Sequence, residues 1–198
     1  ENPVLSSGSY TSAPGGTAWG FSGSAGVSAN WSGYTWANPL APEGNQVAYV
    51  QSSGSMSQTL DNLDPGTAYD ITFLAAQRQS WGGAQTWDVE VDGVVLGSFA
   101  PPQSSANYTS YTVGFVASHI SHTIRFVGTT TSDNTVFIDD VQVSVVPNPN
   151  LSFEAPPTSS VIQQPQDASW VFTGTAGISA NGSGYSAGNP NAPDGGQV

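Results

Sequence analysis

The stretch TWDVEVDGVVLGSF, Thr86–Phe99, decides the class of this chain. At its centre Asp92-Gly93 is a pair that tolerates positive φ at both positions, as a tight antiparallel hairpin requires. Thr86–Val91 and Val94–Phe99 on either side are read as strands. Working outward, Val47–Gln51 and Ser55–Leu60 are strands too, the second alternating Met56, Gln58 and Leu60. Asp64-Pro65-Gly66 is a turn, because proline presets φ and glycine accepts the left-handed region. Tyr69–Arg78 alternates Ile71, Phe73 and Ala75 against Thr72, Leu74 and Ala76. Tyr111–Val116, His122–Val127 and Val136–Val146 bring the total to about eight strands, and no segment carries helical periodicity. An all-β jelly roll or β-sandwich is expected, with Trp19 and Trp87 in its core.

Composition narrows the function. Only Arg78 and Arg125 are cationic among 198 residues, and the net charge is −12. That balance excludes the phosphate-neutralising surface of a nucleic-acid-binding protein. It also argues against anionic membranes and polyanionic sugars as partners. No apolar run approaches the roughly 20 residues that span a bilayer, so membrane insertion is not expected. Without lysine there is no Schiff base or Lys–Asn isopeptide crosslink; without cysteine there is no disulfide or thiolate metal site. A hydroxyl- and amide-rich chain with 8% charged residues reads as secreted, extracellular or cell-surface. The N-terminus shows no leader, so export implies processing.

The chain repeats itself. Ala18–Val47 and Ser169–Val198 align without a gap, and 18 of the 30 positions are identical. Trp19 meets Trp170, Asn30 meets Asn181, Tyr34 meets Tyr185 and Gln46-Val47 meets Gln197-Val198. Glu1 corresponds to Glu154, and Leu151 and Phe153 alternate like a short strand ahead of it. The expected organisation is a first repeat over 1–146 with its first strand incomplete. A stiff Pro147-Asn148-Pro149 linker follows, and 150–198 is the opening part of a second repeat.

PEGNQVAYVQ, GSMSQTL, DPGTAYDITFLAAQR, VEVDGVVLGSF, SHTIRFVG and FIDDVQV follow one another in order. In this they resemble bacterial extracellular repeats of the galactose-binding-like jelly-roll type, which are related in fold to carbohydrate-binding modules. The resemblance implies a structural calcium ion joining the first strand to the last. Here its ligands would be Glu1 with Asp139 or Asp140, and Glu154 in the second copy; calcium takes several hard oxygens. The alternative is a frayed Glu1 and an aspartate pair ending a strand in water.

The fold invites sugar binding, which needs aromatic platforms beside a few polar groups. Trp31, Tyr34 and Trp36 crowd one loop, and Trp81 sits among glycines near Arg78. Copy two keeps Tyr185 but has Gly182 and Ala187 where copy one has Trp31 and Trp36. Contact with a neighbouring module or chain is thus the competing account of those two tryptophans.

No catalytic constellation is visible. Asp88, Glu90 and Asp92 share a strand face that reads as solvated, and His119 and His122 have no nearby carboxylate or third ligand to make a metal site. Sequons begin at Asn30, Asn107, Asn150 and Asn181. The leading expectation is a non-catalytic tandem repeat that assembles with copies of itself into an extracellular fibre, stalk or adhesin, with strand complementation between chains as one route. The alternative is a carbohydrate-binding module of a polysaccharide-degrading enzyme, with neutral polysaccharide as partner; a calcium-dependent adhesin is the third.

Overall fold

The computed structural model describes residues 3–146, 153–166, 170–193 and 195–198. Glu1, the linker Pro147-Asn148-Pro149, Asn150 and Leu151 lie outside the described residues. Contacts divide the chain into two compact units, Glu1–Val146 and Pro147–Val198.

The first unit contains β1 (Tyr10–Ser12), β2 (Gly20–Ser22), β3 (Ala25–Ala29), β4 (Gln46–Gln51), β5 (Ser55–Asp61) and β6 (Ala68–Gln77). These are followed by β7 (Trp87–Val91), β8 (Val94–Phe99), β9 (Thr109–Val116), β10 (Ser121–Gly128) and β11 (Thr135–Val145). They form a six-stranded sheet ordered β1-β3-β4-β11-β6-β9 and a five-stranded sheet ordered β2-β5-β10-β7-β8. Two antiparallel sheets facing across one core make a jelly-roll β-sandwich.

Period-two alternation decides which face each strand buries. Ile71, Phe73 and Ala75 of β6 meet Trp87, Val89 and Val91 of β7 and Ile124 and Phe126 of β10 in the main core. Phe73 packs edge-on to Phe126, with centroids 5.0 Å apart. Each such side chain contributes roughly 1.5–3 kcal/mol by leaving water. At the β7–β8 turn Asp92 has φ 50° and Gly93 φ 78°, the two positive values a primed two-residue hairpin needs.

Three strands lack the expected signal. YTS, GFS and AGVSA are poor in β-branched residues, yet β3 is buried throughout because it lies between β1 and β4. At Gly26 of β3 an added Cβ would lie 2.1 Å from the Thr11 carbonyl oxygen, so small residues there are a steric requirement.

The six-stranded sheet also carries a smaller apolar cluster, Val47, Tyr49 and Phe137, with Tyr34, Ala41 and Tyr108 against it. Residues 30–45 reach this cluster through Tyr34 and Ala41, and they carry the aromatic positions of interest.

The second unit contains β12 (Val161–Gln163), paired antiparallel with β13 (Gly177–Ser179), and a bridge between Ala180 and Gln197. Its turn repeats several hydrogen bonds of the first unit's turn. The Ser28–Ser32 hydroxyl contact of 2.6 Å recurs as Ser179–Ser183 at 2.6 Å. Asn30 Oδ1 accepts from Ala41 N–H at 2.8 Å, and Asn181 Oδ1 from Ala192 N–H at 2.8 Å. Gln46 accepts from Leu5 N–H and donates to the Pro3 carbonyl; Gln197 does the same with Thr158 and Pro156. Pro3 therefore aligns with Pro156. Phe153, read as a strand residue, instead has φ 61°, outside the extended region.

Candidate functional site

The site begins at the end of β6. Arg78 follows the strand, and its guanidinium lies 4.3 Å from the centre of the Tyr34 ring. Its Nε donates to Ser80 Oγ (3.2 Å) and one terminal nitrogen to the Gly33 carbonyl (3.1 Å), so the cation is held over the ring. Tyr34 in turn stacks on buried Tyr49, with centroids 4.7 Å apart and planes inclined by 22°, and meets Tyr10 edge-on at 4.9 Å. Its hydroxyl donates to Gln51 Oε1 at 3.3 Å, and Gln51 Nε2 donates to Asp133. Burial raises the Tyr34 hydroxyl above the usual phenol range while the Arg78 charge pulls it down; at neutral pH it remains a donor.

Trp81 completes this site. It is 65% exposed and lines, with Tyr10, Tyr34, Gln51, Arg78 and Asp133, an open cleft of about 290 Å³. The loop carrying it is fixed from beneath. Asn134 accepts from Gly83 N–H (2.7 Å) and donates to the Ala84 carbonyl (2.8 Å). Gly82 has φ +80°, and a Cβ there would lie 1.9 Å from the Asp133 carbonyl oxygen. Deeper still, fully buried Gln77 and Gln85 bond each other: Gln77 Nε2 donates to the Gln85 carbonyl (2.7 Å), and Gln85 N–H to Gln77 Oε1 (2.9 Å). Such satisfied buried amides rigidify the loops they join.

The structure redistributes the predicted aromatic residues. Tyr34, Arg78 and Trp81 converge in the cleft. Trp31 does not; it lines a different cavity, and exposed Trp36 lines neither. Tyr10, Gln51 and Asp133 join the cleft without any sequence signal, brought there by the β1-β3-β4-β11 order and the loop before β11.

The carboxylates have other partners. Asp139 Oδ2 accepts from Glu43 N–H (3.0 Å) and Oδ1 from Asp140 N–H (2.9 Å), at a bulge where Asp140 has φ 47°. Asp140 accepts from Gln142 Nε2 (2.8 Å), and Glu154 accepts from the N–H groups of Gly196 and Gln197. Backbone donors meet these oxygens. Among the described residues no group of three or more His, Asp or Glu side chains is placed to hold a metal ion. Burial, above all, pushes the Asp139 carboxyl up to about 6; the two N–H donors oppose this and the charges of Glu43 and Asp140 add to it.

The acidic strand face is likewise engaged. Glu90 pairs with Arg125 at 3.4 Å, and Asp92 with His122 at 2.5 Å. The expectation that the histidines lack a nearby carboxylate is corrected here. Pairing of β7 with β10 carries Asp92 to His122, which is only 4% exposed. His122 Nε2 accepts from the N–H groups of Ser118 (3.0 Å) and His119 (3.1 Å), so the proton is on Nδ1 and no lone pair is free for a metal. The sequons differ as well. Asn30 is buried with its side-chain carbonyl closing a turn, Asn181 makes the same bond, and Asn107 is exposed.

With this geometry the fold can be compared with known proteins. No protein-family model matches the chain, and no curated protein sequence matches it. Solved structures do. The chain is similar to carbohydrate-binding modules. One is the Paenibacillus barcinonensis Xyn10C CBM22-1 xylan-binding domain, at 13% identity and TM-score 0.47, covering 72% of this chain and 98% of that one. Another is the Clostridium thermocellum endo-1,4-β-D-xylanase 10B with CBM22-1 and GH10 modules, complexed with xylohexaose, at 15% identity and TM-score 0.48. The match covers 66% of this chain but only 26% of that protein's length. The K1 cleaved adhesin domain of Lys-gingipain from Porphyromonas gingivalis W83 is similar at 10% identity and TM-score 0.48, covering 66% of this chain and 92% of that one.

Proposed function

We propose that this chain is a non-catalytic extracellular module that binds a neutral polysaccharide in the Trp81–Tyr34–Arg78 cleft. Because one sandwich fold carries many functions, the site has to carry the reading. One observation does so: an exposed indole stands beside a cleft whose polar groups are already fixed in place. Stacking on Trp81 supplies apolar area against a sugar face, and Arg78, Gln51 and Asp133 offer donors and acceptors for hydroxyls. Preorganisation by Asn134 and the Gln77–Gln85 pair lowers the entropy lost on binding.

With so few cations in the chain, an uncharged glycan suits the cleft better than an acidic one. This departs from the fibre or adhesin expected from the tandem copies, the stiff linker, the sparse charge and the lack of a catalytic constellation, a reading that leaves the cleft without a role. Affinity electrophoresis through gels containing xylan, β-glucan, galactan or mannan tests the proposal. The full chain should be retarded in at least one gel, and Trp81→Ala should be retarded markedly less in that gel. Equal retardation of both proteins would refute the assignment of the cleft.

A further inference from the structure

Trp31 is in the wrong conformation for a tryptophan. Its φ is 67°, in the left-handed region that bulky L residues rarely enter, and its side chain is 63% exposed. The second copy solves the same position with Gly182 at φ 72°, and its turn keeps the Ser–Ser hydroxyl contact and the Asn–Ala backbone hydrogen bond. The turn therefore does not need tryptophan. Strain kept where glycine serves, with no core contact to compensate, marks a side chain retained for another purpose.

That purpose has a place. Trp31, Leu40, Leu5, Ser7, Asn30 and Asn45 line a cavity of about 320 Å³ that shares no lining residue with the Trp81 cleft. Two of its apolar walls, Trp31 and Leu40, become Gly182 and Asn191 in copy two, although Asn30 persists as Asn181. Among the described residues no charged side chain lines it. Asn30, about nine-tenths buried, lines this cavity; its Oδ1 is committed to Ala41 N–H, while its Nδ2 has no hydrogen-bond partner among the described residues. An indole wall, a leucine, a free amide donor and no charge together suit an uncharged ring with one apolar face and hydroxyls on its edge.

The geometry points to a second, independent carbohydrate-binding site in the first unit, with Trp31 as its stacking platform and Asn30 Nδ2 as a hydroxyl-oxygen donor. The ligand class rests on the reading of the cleft, but the site itself does not. Bivalent engagement of a polymer through two separate sites would raise retention on polysaccharide beyond either site alone.

The test uses the full chain labelled with 5-fluorotryptophan, whose six tryptophans give separate fluorine resonances. Trp31→Gly and Trp81→Ala assign the two signals. Trp31→Gly restores the glycine of copy two, so its melting temperature should equal or exceed that of the parent chain, separating loss of binding from loss of fold. Titrations use xylohexaose, cellohexaose, mannohexaose and β-1,4-galactotriose. The Trp31 resonance should shift with at least one of them, and its dissociation constant should change less than about twofold in Trp81→Ala. A Trp31 signal that stays still in all four titrations overturns the second site, whether or not Trp81 moves. A signal that shifts with protein concentration but not with sugar overturns it in favour of contact between chains. Movement of Trp31 without Trp81 supports this site and removes the cleft.

Discussion

Replacing Asp139 by asparagine isolates the cost of ionising a half-buried carboxyl at the β11 bulge. Its folded pKa is about 6 against an ordinary 3.8, so the folded state holds the proton more tightly than the unfolded chain. Stability from the neutral form is therefore complete below about pH 4 and lost as pH rises through about 6. A shift of roughly two units corresponds to about 3 kcal/mol, and solvent screening of this incompletely buried group reduces it to about 1–2 kcal/mol. The amide side chain of the variant is neutral at every pH. It also gives up one acceptor for the N–H groups of Glu43 and Asp140, a penalty that is the same at all pH values.

The pH dependence is thus the clean signal. The stability of Asp139→Asn relative to the parent should improve by about 1–2 kcal/mol between pH 4 and pH 7, as urea unfolding followed by tryptophan fluorescence would show. Parallel profiles would refute the reasoning. The same series with calcium at about 1 mM, and then with chelator, asks whether an ion adds to the backbone donors. With both Asp139 oxygens engaged by N–H groups, neither addition should move the profiles; a chelator-sensitive loss confined to the parent would place calcium on Asp139.

Two further perturbations follow from the same contacts. Asp92 titrates below the usual carboxylate range, chiefly because it accepts from Thr123 N–H and also because of His122; its contribution is present above about pH 4 and lost as pH falls through its lowered value. Asp92→Asn should therefore flatten the acid limb of a melting-temperature profile, and an unchanged limb would contradict the contact. Gly82→Ala forces a Cβ against the Asp133 carbonyl at a left-handed position, so it should cost about 1–3 kcal/mol in thermal melts and weaken sugar retention together. Unaltered retention would mean that the Trp81 loop need not be held as it is.

Much of the sandwich was legible because its strands carry their own signals. β6 and β10 alternate, and Asp92-Gly93 declares its hairpin. β2 and β3 were missed because Gly, Ser and Ala have little intrinsic strand preference and their partners β5 and β4 impose the conformation; β1, three residues long, is too short to show an alternation. The cleft was half legible for a similar reason. Tyr34, Arg78 and Trp81 stand out by residue type, but Gln51 and Asp133 are 82 positions apart and meet only once β4 pairs with β11. His122 and Asp92 likewise need the β7–β10 register. The separation of Trp31 from Tyr34, three residues away on one turn, depends on backbone dihedrals that no residue pattern announces.

The central claim is that sugar binds where Trp81 faces Tyr34 and Arg78. Backbone amide shifts of the isotopically labelled chain, titrated with the oligosaccharide of whichever polysaccharide retards it, test that most directly. The largest changes should cluster at Gly33, Tyr34, Gln51, Arg78, Trp81, Gly82 and Asp133. Perturbations that avoid these residues in a chain that still binds would contradict the account.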